Sequence, residues 1–254
     1  MLFRSEELRV DRAGGGVSVR AIEGSRLGLL RHRASAGARY LAQEIDEGTA
    51  GPGEQVLFLK SSQRSRVHRA VYPDYVVVRC FDAQGQVTGQ HAFLGLYTAP
   101  VYTMDPGLIP VVRRKVAGVI ARSHPEESSH RRRSLERVLA ILPRDELFQT
   151  DAEALFATAM RIFRIQERRK LRLFVRFDRR RRFASCLLYW PRDAYHTALR
   201  VRIEQILRDA LGAVESEFTT VFSESVLVRT HFVMRLGPRS EEHTSELQSP
   251  CNLV

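Results

Sequence analysis

The residues of this chain that could do chemistry are two arginine-rich runs and a scatter of histidines. Arg64-Ser65-Arg66-Val67-His68-Arg69 places forked guanidinium donors, a hydroxyl and an imidazole within six positions. Such donors suit a phosphate or carboxylate, because charge-assisted bidentate bonds recognise oxyanions. Arg64, Ser65, Arg66, His68 and Arg69 are therefore the candidate anion-binding residues. The simpler competing reading is an edge strand with solvated arginines, since no glycine-rich turn leads from the run into a helix N-terminus. Arg179–Arg182 reads as a solvated hairpin tip and His130-Arg131-Arg132-Arg133 as part of a polar linker. No His and Cys pair stands at metal-ligand spacing, and His68 and His91 are the only two histidines near one expected sheet. Cys80 and Cys186 each lie inside an apolar, strand-like run, which marks them as buried structural thiols. No Gly-x-Gly-x-x-Gly turn is present for a dinucleotide, and Gly14-Gly15-Gly16 lacks that spacing. No Gly-x-Ser-x-Gly elbow is present either. Catalytic, cofactor-binding and metal residues are expected to be absent.

The elements that must position these residues follow from periodicity. Residues 8–22 read as two short strands around Ala13-Gly14-Gly15-Gly16, and residues 35–46 as a helix. Strands are expected at Gln55–Lys60, Arg66–Val71, Tyr75–Phe81 and Val87–Tyr97, the last two joined by Asp82-Ala83-Gln84-Gly85-Gln86. Residues 108–122 predict a helix with Pro110 in its first turn and Ile109, Val112, Val116, Val119 and Ile120 on one face. Residues 123–133 read as a linker, followed by a short helix over Ser134–Leu142 that stops before Pro143.

Thr150-Asp151-Ala152-Glu153 has the form of a capping box, with Thr150 as the cap and Glu153 reaching back. Leu171, Leu173, Val175 and Phe177 alternate as a strand, and Phe183–Trp190 returns. Asp193 is the expected cap of a helix that Gly212 ends. Val214–Phe222 and Val226–Arg235 close as a hairpin, with Val226, Val228, Thr230, Phe232 and Met234 facing inward. The fold class is α+β, with two small antiparallel-sheet domains joined by a helical segment. The expected boundaries are residues 6–102 for the first domain, 107–148 for the connector and 150–237 for the second domain.

The chain has 254 residues, 44% of them hydrophobic, and a formal net charge of +11. That length fits one large or two small domains with a real core. An arginine excess suggests a polyanionic partner, yet Lys occurs only at Lys60, Lys115 and Lys170. Such an imbalance is the mark of a GC-rich genome, so nucleic acid is the disfavoured partner. The best arrangement for it would be Phe174 and Tyr189 on one sheet face beside Arg172 and Arg176. No apolar run is long enough to span a bilayer, and no membrane partner is expected. The ends read differently. The tail, residues 239–254, RSEEHTSELQSPCNLV, has no apolar periodicity. Codons of a sequencing-library adapter encode RSEEHTSELQS, and the inverse complement of the adapter's start reads as residues 1–5, MLFRS. Both ends are expected to be adapter-derived and the tail disordered.

Five collinear blocks carry a family resemblance: RSRVHR (64–69), FLGLYT (93–98), PRDELFQ (143–149), IQERRKLRLFVR (165–176) and PRDAY (191–195). Together they resemble the N-terminal, non-catalytic region of the large bacterial NAD-specific glutamate dehydrogenases. The resemblance implies a PAS-like or ACT-like first domain and an ACT-like second one. It further implies that NAD belongs to the whole enzyme and not to this piece. The implied partners are the remainder of the dehydrogenase chain, sister subunits of a homo-oligomer and a small amino-acid effector, in the cytoplasm. The alternatives are a free-standing basic nucleic-acid-binding module and a free-standing ACT-like amino-acid sensor. The arginines at 179–182 depart from the Pro/Gly-type turn of the family.

Overall fold

The computed structural model describes residues 4–13, 16–31, 36–46, 55–61, 63–65, 70–123, 130–165, 170–223 and 225–237. The tail at 239–254, the turn at 14–15 and the residues Arg66, His68 and Arg69 lie outside the described residues. The chain falls into two compact units, Met1–Met160 and Arg161–Val254.

In the first unit, β1 (Arg4–Ala13), β2 (Gly16–Ala21), β3 (Val56–Lys60), β4 (Asp74–Phe81) and β5 (Val87–Gly95) form one antiparallel sheet in the order β2-β1-β5-β4-β3. β1 begins at Arg4, two residues ahead of the expected start of the first domain. Helix α1 (Ala36–Asp46) lies in the connection between the two edge strands. Alternation explains the packing, since successive strand residues point to opposite faces. Leu8, Val10 and Val87 cluster with Leu41 of α1, while Leu57, Leu59, Val77 and Ala92 form a second cluster. Two glycines are required by geometry. Gly85 takes φ 75° in the β4–β5 turn, where Asp82 Oδ1 accepts from the N–H of Gln84 and Gln86 at 3.0 and 2.8 Å. At Gly89 a Cβ would stand 2.5 Å from the Leu8 carbonyl oxygen, so only glycine lets β1 approach β5 here.

The helical segment that follows departs from expectation at several points. Ala70 and Val71 form no strand. Instead, Ser65 N–H bonds to Val71 O at 2.8 Å and Arg64 Nη1 to Ala70 O at 2.9 Å. A short helix α2 (Ala99–Thr103) and a 3-10 turn at Pro106–Leu108, capped by Asp105, precede α3 (Val112–Arg122). Pro110 therefore stands before α3 and not in its first turn. Val112 N–H bonds to Pro110 O at 2.8 Å around Val111 at φ 67°, ψ −54°. This is a γ-turn, a strained conformation for a β-branched residue. The apolar face holds, with Ile109, Val112, Val116 and Val119 buried.

Helix α4 (His130–Ile141) starts four residues earlier than expected, so the HRRR run is its first turn and not linker. An Arg132–Glu136 pair one turn apart supports it. PRDELFQ is itself a helix, α5 (Arg144–Gln149), with Pro143 at the N-cap position. Before α6 (Ala152–Ile165) the cap is Asp151, whose Oδ1 accepts from Ala154 N–H at 2.8 Å. Thr150 bonds to Glu146 and Glu153 to Arg122, so the expected capping box is displaced by one residue.

In the second unit, β6 (Arg172–Phe177), β7 (Phe183–Pro191), β8 (Ala213–Val221) and β9 (Leu227–Leu236) form an antiparallel sheet in the order β6-β7-β9-β8. The connection from β7 to β8 runs through α7 (Thr197–Leu211), with β9 between them. This is a split β-α-β unit. Leu207 and the half-buried Leu199, Ile203 and Leu211 of α7 pack on Ala184, Cys186, Leu188, Trp190, Val228, Phe232 and Met234. Thr230 is fully buried as well, as alternation requires, but Val226 lies before β9 and is 43% exposed. His196 caps α7, its Nδ1 accepting from Leu199 N–H at 3.2 Å, while Asp193 sits in a 3-10 turn at Arg192–Ala194. Gly212 ends α7 at φ 62°.

Candidate functional site

The most concentrated chemistry lies in the first unit, around α5. Lys60 ends β3 and stands directly opposite Asp74 at the start of β4. Its Nζ lies 3.0 Å from an Asp74 oxygen and 2.9 Å from an Asp145 oxygen of α5. The side chains of Lys60, Asp74 and Asp145 are 12%, 5% and 20% exposed. One ammonium thus bridges two carboxylates in a water-poor setting. Beside them Tyr97 is buried and stacks on Phe148 of α5, ring centroids 4.9 Å apart, while Phe58 of β3 meets Phe148 at 4.7 Å. The Tyr97 hydroxyl makes no hydrogen bond among the described residues.

Electrostatics follow from this placement. Burial alone would pull the Lys60 pKa down, but Asp145 and then Asp74 outweigh it and hold the value well above the ordinary lysine. Burial pushes Asp74 up to about 7; Lys60 opposes the rise and Asp145 adds to it. Tyr97 is pushed up by burial, and further by the fields of Asp74, Asp145 and Tyr102. The ammonium stays charged, and the Asp74 carboxyl gives up its proton less readily than an exposed one.

Three further groups seat α5. Arg144 is buried and donates to the carbonyls of Val101 at 2.9 Å, Tyr102 at 3.4 Å, Met104 at 2.8 Å and Ala140 at 3.2 Å. Burial pulls its pKa down, with Asp105 opposing. Lys115 Nζ donates at 2.7 Å to both Phe148 O and Thr150 O, closing the carbonyl end of the helix. Leu147 is fully buried. Every position of PRDELFQ from Arg144 to Phe148 is therefore engaged. Two of the three lysines in an arginine-dominated chain serve this one short helix. Sequence reasoning read the scarcity of lysine only as composition. The retained lysines at 60 and 115 were the signal that could have led to the site.

Two residues of the expected anion site, Arg64 and Ser65, are among the described residues. Arg64 spends one donor on the Ala70 carbonyl and lies over the Tyr72 ring at 5.0 Å, and Ser65 is buried. Arg66, His68 and Arg69 lie outside the described residues. His91 is half-exposed near Glu7, 3.9 Å away. No group of three metal-ligating side chains occurs among the described residues. Cys186 is buried and Cys80 partly so, and neither is in a disulfide. Of the aromatic pair considered for base stacking, Tyr189 is 3% exposed, while Phe174 is half-buried beneath Arg161, 5.7 Å from its ring centre. At the 179–182 turn, Asp178 Oδ1 accepts from the N–H of Arg182 at 2.6 Å and Phe183 at 2.8 Å. Arg179 and Arg181 are exposed there, whereas Arg180 and Arg182 are half-buried, so the turn is only partly the solvated tip expected. No helix among the described residues is long and apolar enough to cross a membrane.

Comparison with known proteins gives concordant matches. Residues 109–168 match the family model for glutamate dehydrogenase, helical motif 1, and residues 172–250 the model for the glutamate dehydrogenase ACT2 domain. The chain is 45% identical over 238 residues to the NAD-specific glutamate dehydrogenase of Pseudomonas aeruginosa, covering 92% of this chain and 15% of that protein. It is 43% identical over 180 residues to that of Halomonas elongata (71% and 11%) and 36% identical over 172 residues to that of Mycobacterium tuberculosis (68% and 10%). The chain thus spans about a seventh or less of the length of these relatives. Among solved structures, a blue-light activated histidine kinase of Erythrobacter litoralis EL346 aligns over 92% of this chain and 96% of its own at 9% identity. Its TM-score is 0.21, too low to bear on the fold. Helical motif, ACT2 domain and collinear relatives agree: the chain belongs to the NAD-specific glutamate dehydrogenase family, as part of its N-terminal region.

Proposed function

We propose that this chain is a non-catalytic regulatory and assembly segment of an enzyme that oxidises L-glutamate to 2-oxoglutarate and ammonia with NAD. The observation that carries the reading is the collinear match through helical motif and ACT2 domain, in a chain without a dinucleotide-binding turn. NAD is the cofactor of the whole enzyme, bound by residues beyond this chain. The partners are the rest of the dehydrogenase polypeptide and sister subunits in a cytoplasmic homo-oligomer. A small amino acid is the effector, a step that rests on fold analogy with ACT-like modules. For the first unit, the five-stranded order β2-β1-β5-β4-β3, with its helical connection running from one edge of the sheet to the other, supports the PAS-like alternative. The split β-α-β unit is confined to the second sheet.

The test compares the complete reading frame with one lacking residues 4–237. The expected result is a smaller assembly by sedimentation, loss of any dependence of NADH formation on added amino acids, or both. Unchanged mass together with an unchanged amino-acid response overturns the assignment.

A further inference from the structure

One edge strand of this chain differs from the others. β2 has six residues and carries Arg20, β3 has five and ends on Lys60, and β6 has six with Arg172 and Arg176. Short length and basic side chains keep a sheet edge from pairing with another chain. β8 has nine residues, AVESEFTTV, with no Lys, Arg or Pro. Among the described residues it pairs with β9 alone, and past the bulge between Ala213 and Glu215 its ladder is regular through Val221. Phe218, in the middle of that run, is 46% exposed, and Phe222, just beyond it, 51%. Glu215 and Glu217 alternate with Phe218 and so lie on the other face. The direction of the backbone groups follows from β9. Gly237 N–H donates to Gly212 O, on the β8 side, at 3.0 Å, and Leu236 N–H to Arg182 O, on the β7 side, at 2.8 Å. Alternation then points the N–H groups of Arg235, Val233, His231 and Arg229 at β8. Their partners Glu215, Glu217, Thr219 and Val221 bond back to β9, so Ser216, Phe218 and Thr220 turn their own N–H and C=O groups outward.

We propose that β8 docks a second copy of this chain, by antiparallel pairing of β8 with β8 about a two-fold axis at Phe218. Outward backbone groups must meet outward groups, so Ser216, Phe218 and Thr220 can only stand opposite one another. Registers centred on Glu215, Ser216 or Glu217 set glutamates directly opposite glutamates, which is destabilising. Registers centred on Thr219 or further along shorten the shared ladder, since β8 ends at Val221. The register centred on Phe218 uses the whole regular run. It sets the two Phe218 rings together, Ser216 against Thr220, Glu217 against Thr219 and Glu215 against Val221. Aromatic pairs across strands are stabilising, and each copy offers the same patch, as a two-fold contact requires. The pairing gives a surface to the sister-subunit contact proposed above and rests on that proposal for its setting. Measured on the chain itself, it can fail while the dehydrogenase assignment holds.

The experiment follows amide hydrogen exchange of the purified chain at rising concentration, with sedimentation equilibrium on the same samples. The N–H groups of Ser216, Phe218 and Thr220 should exchange freely in dilute solution and become protected as a dimer forms. Those of Glu217 and Thr219, which bond to β9, should stay protected throughout. Thr220→Pro removes an outward N–H and leaves the bonds to β9 in place. Two such losses per dimer should weaken association by about tenfold or more. Phe218→Lys sets two ammonium groups opposite each other and should weaken it as well. Unchanged protection of Glu217 and Thr219 shows that each variant is folded. A monomer at every concentration, a dimer that either folded variant leaves intact, or a dimer whose outward amides stay unprotected overturns the proposal. Outward amides already protected at high dilution overturn it too, because the edge is then occupied from within the chain.

Discussion

Helices α7 and α5 are held to their sheets by different means. In the second unit α7 lies on a dry layer in which Trp190, Val228, Phe232 and Met234 have no exposure. Besides the buried Thr230, polar groups lie at its margin, as where Arg200 pairs with Glu204 at 2.6 Å and covers the Phe218 ring at 3.8 Å. In the first unit α5 is fixed by Lys60, Asp74, Asp145, Arg144 and Lys115, with aromatic rings between. Apolar burial is non-directional and indifferent to pH. A buried charge cluster is directional and answers to protons.

The sharpest break of this comparison is Trp190→Ala, which should cost about 3–5 kcal/mol, as large aromatic truncations in a core do. In urea unfolding the loss should be the same at pH 5 and pH 8. A pH-dependent loss would mean that the second core is not the dry layer described. Lys60→Met should cost about 3 kcal/mol at pH 8, because it removes the ammonium that faces the buried Asp74 carboxylate. The loss should be smaller at pH 5, where the carboxylates can take up protons. A cost unchanged with pH would show that burial does not raise the Asp74 carboxyl into this range. Arg144→Lys should cost about 1–3 kcal/mol, since a single ammonium cannot replace a planar fork serving four backbone carbonyls. Retention of full stability in thermal unfolding would show those bonds to be dispensable. The smallest effect, and the one gain, is expected at Val111→Gly. Relief of the γ-turn strain outweighs the added freedom of glycine by up to about 1 kcal/mol. A loss in the same measurement would mean that the Val111 side chain contributes more than its backbone costs.

Strands and the second helix face were legible in the sequence because they are periodic. Leu173 and Phe177, Cys186 and Leu188, Val228 and Phe232 alternate, and Gly212 marks its helix end. The errors fall where several local solutions compete. Thr150 and Asp151 are both good caps, and the choice went to Asp151 because Thr150 is drawn to Glu146. Asp193 lost the cap of α7 to His196 because a 3-10 turn intervenes. Pro110 fits a first helical turn by type, yet the 3-10 turn capped by Asp105 delays the helix past it. The charge cluster was hidden for another reason. Lys60, Asp74 and Asp145 are far apart in the chain and look like ordinary surface residues one at a time. Only strand pairing puts Lys60 opposite Asp74, and only the return of α5 to β3 adds Asp145. The family blocks RSRVHR and PRDELFQ differ in the same way. The second is engaged almost throughout, and the described part of the first is turned to its own backbone and a tyrosine ring.

We propose that this chain is a non-catalytic segment of a glutamate-oxidising enzyme. It is tested most directly by mixing glutamate and NAD with the purified chain and, separately, with the product of the complete reading frame, and following NADH. The expected result is NADH from the complete protein and none above the blank from the chain alone. Saturable, protein-dependent NADH from the chain alone, or none from an intact and folded complete protein, would contradict the account.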